Sequence, residues 1–222
     1  MSEHAIMVVA AHPDDETFGC GGTLALHVMN GHRAHIVSLT CSEGERKDEL
    51  TEASKALGAE RPIIFDDVKL EFNSQVVHRL SDIVAEKRPE IMFTHIPWDY
   101  HREHRASYKI VKEAVEWASH TTTYDDAWSV RRLLLMEVNT MIPTPHVLVD
   151  ISDVFNKKMK AIECYPTQLA KFPDGYYRNF NRAKAVLRGV QGGCSHAEAF
   201  FEESLPKNGP FYRTKSTKSL FD

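Results

Sequence analysis

A short apolar run that ends in a histidine and three consecutive acids constrains this chain more than any other feature. Residues 5–11 read AIMVVAA, and the following HPDDE places His12 beside Asp14, Asp15 and Glu16. Such a continuous apolar run is typical of a strand that is buried on both faces. Three adjacent carboxylates repel one another, so a cation held among them would remove an energetic penalty. The motif therefore predicts a cation-binding loop after a buried strand.

Five further apolar runs alternate with segments of helical periodicity along the chain. Several of these runs are continuous, as expected of strands in a parallel sheet that is covered on both faces. Strands are predicted at residues 34–40, 62–66, 90–95, 132–138 and 146–151, and helices at 21–31, 45–58, 73–89, 102–118 and 152–165. This alternation predicts a three-layer α/β/α sandwich with a mostly parallel, Rossmann-like sheet.

Length and composition favour one globular domain. The chain has 222 residues, of which 42% are hydrophobic and 26% charged, and residues 1–222 are predicted to form a single domain. The segment 206–222 resembles a loop and is expected to be a loosely ordered tail. A net charge of −4 with interspersed signs offers no basic face, so nucleic acid is not an expected partner.

The lack of a recognisable targeting signal and the wide spacing of the cysteines predict a cytoplasmic protein. The first residues lack a basic segment before their short apolar run, and no apolar run reaches membrane-spanning length. Neither a signal peptide nor a membrane partner is therefore expected. The four cysteines are widely spaced and form no CxxC pair, which favours free thiols in a reducing compartment.

A second cluster of histidines and acids follows a different predicted strand. Residues 95–104 read HIPWDYHREH and continue from the apolar run at 90–95. Ligands bind at the carboxyl ends of parallel strands, so both clusters point to one site. His12 and Asp15 can bind a divalent metal from the first loop, and a histidine of the second cluster completes three protein ligands beside a water. Asp14 can then take a proton from that water.

Other interpretations of these residues stay open at this point. The three acids can stabilise the N-terminus of the following helix, where the helix dipole favours negative charge. Two histidines and one carboxylate also form the iron site of non-haem oxygenases. A metal-binding module without catalysis would keep the same ligands, although a spare carboxylate beside the ligand carboxylate favours hydrolysis.

Four segments together resemble one enzyme family. They are AHPDDE, FGCGGTLA, ERKDELTEASKALG and EIMFTHIPWDYHREH, and the likeness extends over most of the chain. The first and last are specific in combination, and they resemble the signatures of the PIG-L/LmbE-like zinc-dependent de-N-acetylases. The resemblance implies an LmbE-like fold and hydrolysis of the acetamide of an N-acetylglucosamine-type conjugate, which yields acetate and a free amine. An amidase that cleaves a larger acyl group, similar to thiol S-conjugate amidases, is the alternative.

The resemblance also implies a role for individual residues. His12, Asp15 and His104 are implied as ligands of zinc, for which iron(II) or cobalt(II) are alternatives. Asp14 is implied as the general base that acts on a metal-bound water. His101 is implied to stabilise the tetrahedral oxyanion or to protonate the leaving amine.

Further residues match the family pattern less completely. Arg46 matches an arginine that holds the substrate. The family usually has H-x-D-H in the second block, whereas this chain has Glu103 before His104. Asp99 and Glu103 are expected to support the ligands from behind, although the longer glutamate leaves its contact undefined. His95 is interpreted as a packed residue or a supporting residue rather than as a ligand.

Aromatic and basic residues are predicted to contact the substrate. Trp98 and Tyr100 can form an apolar face for a sugar ring, and Tyr177 and Arg178 can meet the leaving sugar. The polar loop at 119–129 is also expected to contribute to substrate choice. The expected partner is a small amino-sugar conjugate, and the resemblance further implies a homo-oligomer.

Overall fold

A seven-stranded sheet forms the centre of the computed structural model, which describes residues 4–41, 44–65 and 70–206. The strands are β1 (Ala5–Ala10), β2 (Arg33–Ser38), β3 (Ile63–Ile64), β4 (Ile91–His95), β5 (Arg132–Met136), β6 (Val147–Asp150) and β7 (Ala197–Glu203). They lie in the order β3-β2-β1-β4-β5-β7-β6. β7 pairs antiparallel with β5 and β6, and the other pairs are parallel.

Helices cover both faces of this sheet, which confirms the predicted fold class. They are α1 (Asp15–Met29), α2 (Glu45–Leu57), α3 (Ser74–Lys87), α4 (Arg102–Ala118), α5 (Phe155–Glu163), α6 (Pro166–Leu169) and α7 (Tyr176–Gly192). One apolar core includes side chains of α1, α2, α5 and α7, and the core on the other face includes those of α3 and α4. Successive residues of β1 alternate between them, with Val8 in the first core and Val9 in the second.

Local sequence signals explain where several helices begin and end. α3 begins after Asn73, whose side chain accepts a hydrogen bond from the Val76 N–H at 3.0 Å, and it ends two residues before Pro89. α2 is followed by Gly58, which adopts the left-handed conformation that glycine tolerates best. Among the described residues, no helix is both long and apolar enough to cross a membrane.

α1 begins earlier than predicted and is broken at Cys20. The helix starts at Asp15 rather than at residue 21, and Cys20 has non-helical angles of φ −140° and ψ 17°. The carbonyl of Phe18 accepts hydrogen bonds from the ammonium groups of Lys158 at 3.1 Å and Lys184 at 3.2 Å. Because cations stabilise the carbonyl end of a helix, both lysines hold the first half of α1 in place.

Glu198 binds the other side of the same break. Its carboxylate accepts hydrogen bonds from the backbone N–H groups of Gly22 at 2.8 Å and Thr23 at 2.7 Å, where the second half of α1 starts. It also pairs with the buried Lys158 at 2.6 Å. A buried carboxylate stays ionised only with such partners. The break in α1 is therefore built around a buried ion pair from α5 and β7.

The sequence patterns do not predict α7, because its polarity is inverted. Asn181, Lys184 and Arg188 are buried, whereas Leu187 and Val190 are 56% and 75% exposed. The Lys184 ammonium donates to three backbone carbonyls, which makes its burial possible. A helix with charge inside and apolar side chains outside escapes a search for a core-facing apolar stripe.

The structure describes the loop at 119–129 but almost none of the predicted tail at 206–222. The loop at 119–129 lies at the opposite edge of the sheet from the ends of β1 and β4, because the Trp128 indole N–H donates to the Pro89 carbonyl just before β4. Its expected contribution to substrate choice is therefore wrong. Of the tail at 206–222, all but residue 206 lies outside the described residues. A single domain over 1–222 stays a prediction.

Gly189 on α7 provides a test of the packing. A Cβ atom added there would lie 2.5 Å from the Ser195 carbonyl oxygen, whereas at Gly21 the nearest atom would be a Thr17 methyl carbon at 3.5 Å. Because the backbone oxygen cannot rotate away, we expect Gly189→Ala to lower the free energy of unfolding by about 1–3 kcal/mol. Gly21→Ala should change it by less than about 1 kcal/mol. Urea unfolding measures both, and equal stabilities would contradict this packing.

Candidate active site

The two predicted clusters meet at the carboxyl edge of the sheet. The first follows β1, and the second follows β4 and begins α4. Because β1 and β4 are parallel neighbours, their loops leave the sheet at the same edge. Both clusters line a cavity of about 1140 Å³, which is completed by residues at the start of α2, after β5 and around α6.

The three consecutive acids point in three different directions. Asp15 turns toward the histidines, and Asp14 lies 3.4 Å from the Arg46 guanidinium. Glu16 turns into the core, where it accepts hydrogen bonds from the Tyr165 hydroxyl at 2.5 Å and from the Asp14 N–H at 3.0 Å. Asp14 is the N-cap residue of α1 but makes no side-chain capping bond. Helix capping therefore does not account for the acidic motif.

Asp15, His12 and His104, the three predicted ligands, lie close together at the mouth of the cavity. Asp15 Oδ2 lies 3.2 Å from His12 Nδ1 and 3.4 Å from His104 Nε2. Donors bound to a tetrahedral zinc ion at about 2.0–2.1 Å lie about 3.3 Å from one another. The two separations from Asp15 match that spacing, and all three residues line the cavity. The sets of three residues whose donor atoms all lie within 4.8 Å of one another are His12, His101 and His104, and Asp15, His95 and His104. The three predicted ligands are thus divided between two overlapping donor sets of one possible metal site, which faces the cavity.

A carboxylate lies beside the other ring nitrogen of each of these histidines. Glu103 Oε2 is 2.6 Å from His12 Nε2. Asp99 Oδ1 is 3.2 Å from His104 Nδ1. Burial lowers the pKa of His104, but Asp15 and Asp99 outweigh it and raise that pKa to about 10. Carboxylates in this position orient a metal-binding imidazole, and in this chain the longer glutamate reaches His12.

His95 also lies against the Asp15 carboxylate, but its ring nitrogen has a different hydrogen-bond partner. Its Nε2 atom is 3.5 Å from Asp15 Oδ2 and accepts a hydrogen bond from the Ala11 backbone N–H at 2.9 Å. Its ring stacks on that of His104 with centroids 4.0 Å apart. Burial lowers the pKa of His95 to about 3, so the ring is neutral. His95 belongs to one of the two donor sets, but its Nε2 lone pair already accepts the bond from Ala11, which favours a supporting role.

Asp14 faces the cavity from a strained backbone position. Its φ of 113° is rare for a residue other than glycine, and such strain is common at functional sites. Burial and the neighbouring Asp15 raise the pKa of Asp14 well above its usual range, while Arg46 opposes the shift. Burial also raises the pKa of Asp15, but His104 and His95 outweigh it and lower that pKa well below its usual range. Two adjacent carboxylates with opposite proton affinities suit one base and one ligand.

Arg46 connects Asp14 to the far wall of the cavity. Its guanidinium donates to the Pro13 carbonyl and pairs with Glu49 at 3.2 Å. Glu49 in turn accepts hydrogen bonds from the Thr167 N–H at 2.8 Å and hydroxyl at 2.7 Å. Arg46 lines the cavity, as the predicted substrate contact requires, but much of its hydrogen-bonding capacity already positions the Asp14 loop.

His101 lies directly before α4 and lines the cavity. The centroid of its ring is 5.0 Å from that of His12 and 4.7 Å from that of His104. Its Nδ1 atom is buried and has no hydrogen-bond partner within the described part of the chain. Burial and the nearby His104 lower the pKa of His101. An imidazole here can form a hydrogen bond with a group that enters the cavity.

The four predicted sugar contacts divide into two pairs. Tyr100 and Tyr177 line the cavity. Trp98 packs edge-on against an aromatic ring of β7 and is not among the lining residues described. Arg178 pairs with Glu163 at 2.5 Å in a separate groove between α5 and α7. The geometry therefore supports sugar contact for the two tyrosines and not for Trp98 or Arg178.

Comparison with known proteins finds a family match for the segment that contains both clusters. Residues 7–115 match the family described as PIG-L: GlcNAc-PI de-N-acetylase. This segment includes the three donor residues, Asp14 and His101. Residues 7–115 therefore carry the PIG-L family signature.

Proteins similar to this chain differ in the reactions named for them. One is the 1D-myo-inositol 2-acetamido-2-deoxy-alpha-D-glucopyranoside deacetylase of Rhodococcus opacus, 25% identical with 79% of this chain and 85% of that protein covered. Another is the 4-oxalmesaconate hydratase of Pseudomonas putida, 27% identical with 85% and 81% covered. The crystal structure of the conserved protein TT1542 from Thermus thermophilus superposes with a TM-score of 0.83, 28% identity and coverage of 94% and 99%.

Several polar residues of this PIG-L site were not predicted from the sequence. They lie after β2, after β5 and around α6, which lack clusters of histidines or acids. Their position at the same edge of the sheet identifies them in the structure. For Thr40 and Asn139, the end of a predicted strand nearby could have indicated this position from the sequence. The residues are Thr40, Asn139, Thr167, Gln168 and Lys171.

The contact between Glu103 and His12 can be tested through metal affinity. Glu103→Gln removes the carboxylate charge that orients the imidazole, so we expect affinity for zinc to fall about 10–100-fold. Glu103→Asp keeps the charge but shortens the reach, and an intermediate loss is expected. Glu45→Gln is the control, because Glu45 lines the cavity and makes no described contact with the three donor residues. Competition with a chromophoric chelator measures each affinity, and an unchanged Glu103→Gln value would contradict this role.

Proposed function

We propose that this protein is a metal-dependent hydrolase that removes the acetyl group from an N-acetylglucosamine-type sugar conjugate. The observation that carries the proposal is the division of work between neighbouring acids. Asp15 turns toward His12 and His104 at separations that suit one metal ion, while Asp14 faces the cavity from the side of Arg46. This is the arrangement that hydrolysis of an amide requires: a metal site with a base beside it.

The proposed reaction assigns a separate task to each residue. When bound, a divalent metal ion supplies the Lewis acidity that activates water and polarises the amide carbonyl. Asp14 accepts a proton from the attacking water, and His101 donates a hydrogen bond to the oxygen on which negative charge develops. The water oxygen becomes part of acetate, the carbon–nitrogen bond breaks, and the proton held by Asp14 passes to the leaving amine.

The cavity supports a conjugate of an amino sugar as the substrate. Its volume of about 1140 Å³ is slightly above the range of about 300–1,000 Å³ typical of small-molecule sites. Tyr100 and Tyr177 offer aromatic faces to a sugar ring, and Asn139 and Gln168 offer hydrogen bonds to hydroxyl groups. The named reaction of the Rhodococcus opacus relative, deacetylation of an inositol-linked amino sugar, agrees with this substrate class.

Hydration of an unsaturated carboxylate is the second candidate function. The Pseudomonas putida relative is named a hydratase and covers most of this chain. Addition of water to a carbon–carbon double bond also uses a base beside activated water. Lys171 lines the cavity, and its described partner is the neutral Gln168 amide, so its charge can bind a substrate carboxylate. Arg46 is less suited, because Glu49 and Asp14 already pair with it.

The proposal also covers the identity of the metal, the size of the acyl group, the oligomeric state and the location. Zinc is the expected ion, while iron(II) and cobalt(II) suit the same donors. Cleavage of an acyl group larger than acetyl stays an alternative. A homo-oligomer stays a prediction, as does a cytoplasmic location.

A substrate panel separates deacetylation from hydration. The zinc-loaded protein is incubated with N-acetylglucosamine conjugates, with their N-propionyl analogues and with unsaturated dicarboxylates. Deacetylation predicts one acetate and one primary amine per turnover, whereas hydration predicts loss of ultraviolet absorbance by the dicarboxylate without amine release. Turnover of the dicarboxylate alone would overturn the proposal.

A further inference from the structure

A buried lysine on α7 connects two segments of the chain that are distant in sequence. The Lys184 ammonium donates hydrogen bonds to the Phe18 carbonyl at 3.2 Å, the Glu137 carbonyl at 2.8 Å and the Val138 carbonyl at 2.9 Å. The first carbonyl belongs to the first half of α1, and the other two directly follow β5. An ammonium group has three N–H donors, and these three carbonyls use all of them. One side chain therefore joins α1 to the loop after β5.

Both of the joined segments carry residues of the candidate active site. The Phe18 N–H donates to the Asp14 carbonyl at 2.9 Å, so the Phe18 carbonyl belongs to the helical turn that Asp14 begins. Asn139 lies in the loop after β5 and lines the cavity. We call residues 137–142 the β5 loop. Lys184 thus lies behind the cavity, between the turn of the proposed base and a residue of the opposite wall.

The first half of α1 also packs directly against the end of β5. A Cβ atom added at Gly19 would lie 2.5 Å from the Sδ atom and 2.8 Å from the Cγ atom of Met136, the last residue of β5. Glycine therefore allows the close approach of these two elements. The hydrogen bonds of Lys184 cross the same contact, so they hold together elements that already touch.

Other bonds of the β5 loop have a different reach. The Glu137 carboxylate accepts a hydrogen bond from the Ile142 N–H at 2.6 Å and pairs with Arg188. The Arg188 guanidinium also donates to the Ile142 carbonyl at 2.7 Å. These bonds close the loop on itself and attach it to α7, and none of them involves α1. Lys184, by contrast, bonds to α1 and to the loop at once.

We infer that Lys184 is a positioning residue, which holds the β5 loop against the first half of α1 and thereby places Asn139 at the wall of the cavity. It acts through backbone carbonyls and is not among the lining residues described for the cavity. The kinetic consequence rests on the proposed function, in which Asn139 offers a hydrogen bond to a hydroxyl group of the sugar. The structural consequence does not depend on it.

Hydrogen exchange tests the positioning without a substrate. Lys184→Met replaces the ammonium by an apolar side chain, so two carbonyls of the β5 loop lose their donor. We expect amide exchange in residues 137–142 of the folded, zinc-loaded protein to accelerate by about 10-fold, measured by mass spectrometry. Lys158→Met is the matched control, because Lys158 is also buried and donates to the Phe18 carbonyl but makes no described bond to the loop. It should leave exchange in the loop unchanged.

Steady-state kinetics test the consequence for substrate binding. On a substrate that the wild type turns over, Lys184→Met should raise KM by about 10-fold, with a smaller change in kcat and an unchanged zinc content. Asn139→Ala should raise KM to a similar extent. The double variant should have a KM no higher than that of Asn139→Ala, because both changes remove the same contact. Lys158→Met should keep the KM of the wild type.

The outcomes separate this inference from the proposed function. Unchanged exchange in the β5 loop, equal acceleration in Lys158→Met, or KM increases that multiply in the double variant would overturn the inference. If Lys184→Met does not fold, Lys184→Gln replaces it, since its amide keeps two N–H donors and should give a smaller effect of the same kind. A substrate panel without turnover would contradict the proposed function alone, because the exchange measurement still decides whether Lys184 holds the loop.

Discussion

Replacing Asp14 by asparagine is expected to lower kcat by about 10²–10⁴-fold, the range by which a positioned general base accelerates proton transfer. Asparagine keeps the size of the side chain and its position near Arg46, but it cannot accept a proton. Because Asp14 is outside the set of donor atoms that fits the metal, the zinc content should stay at one ion per chain. Steady-state kinetics and elemental analysis of the same sample measure both quantities.

Asp15→Asn is the matched control for that experiment. The two residues are adjacent, but Asp15 Oδ2 lies among the ring nitrogens of three histidines. Loss of this carboxylate should remove the metal and the activity together. If Asp14→Asn lost zinc to the same extent, Asp14 would be a ligand, and the proposed division between base and ligand would be wrong.

Replacing Glu198 by glutamine is expected to lower the free energy of unfolding by about 3–5 kcal/mol, the usual cost of removing one partner of a buried ion pair. The side chains of Lys158 and Glu198 are only 1% and 3% exposed. The substitution leaves a buried ammonium without its carboxylate and weakens the bonds to the two backbone N–H groups at the break in α1. Urea unfolding of the metal-free protein measures the change without a contribution from metal binding.

Glu163→Gln is the control for the buried pair. Glu163 pairs with Arg178, but these side chains are 49% and 42% exposed. Solvent screens such pairs, and removal of one typically costs no more than about 1 kcal/mol. Equal losses in the two variants would mean that burial of the Glu198 pair does not determine its contribution to stability.

The parts of the site that lie at strand ends were predictable from the sequence. His12, Asp14 and Asp15 directly follow a continuous apolar run, and His101 and His104 follow another. In a parallel sheet such residues share one edge, so the periodicity of the runs was enough to bring them together. The direction of each carboxylate was not predictable, because it depends on partners such as Arg46 and Tyr165 that are distant in sequence.

The sequence patterns do not predict α7 or β7, and the reasons are physical. α7 buries Lys184 and Arg188 while it exposes Leu187 and Val190, which reverses the pattern of an ordinary surface helix. β7 carries Glu198, Glu202 and Glu203, and such acidic residues are uncommon in strands. The buried Glu198 is stabilised by Lys158 and the broken helix, an arrangement that tertiary structure alone creates.

The most direct test of the account compares metal content and acetate release in the wild type and His104→Ala. His104 offers one of the three donor atoms and is held by Asp99. We expect about one metal ion per wild-type chain, and loss of both metal and acetate release from an N-acetylglucosamine conjugate in the variant. Equal metal content in the two purified proteins, or undiminished acetate release after chelation, would contradict it.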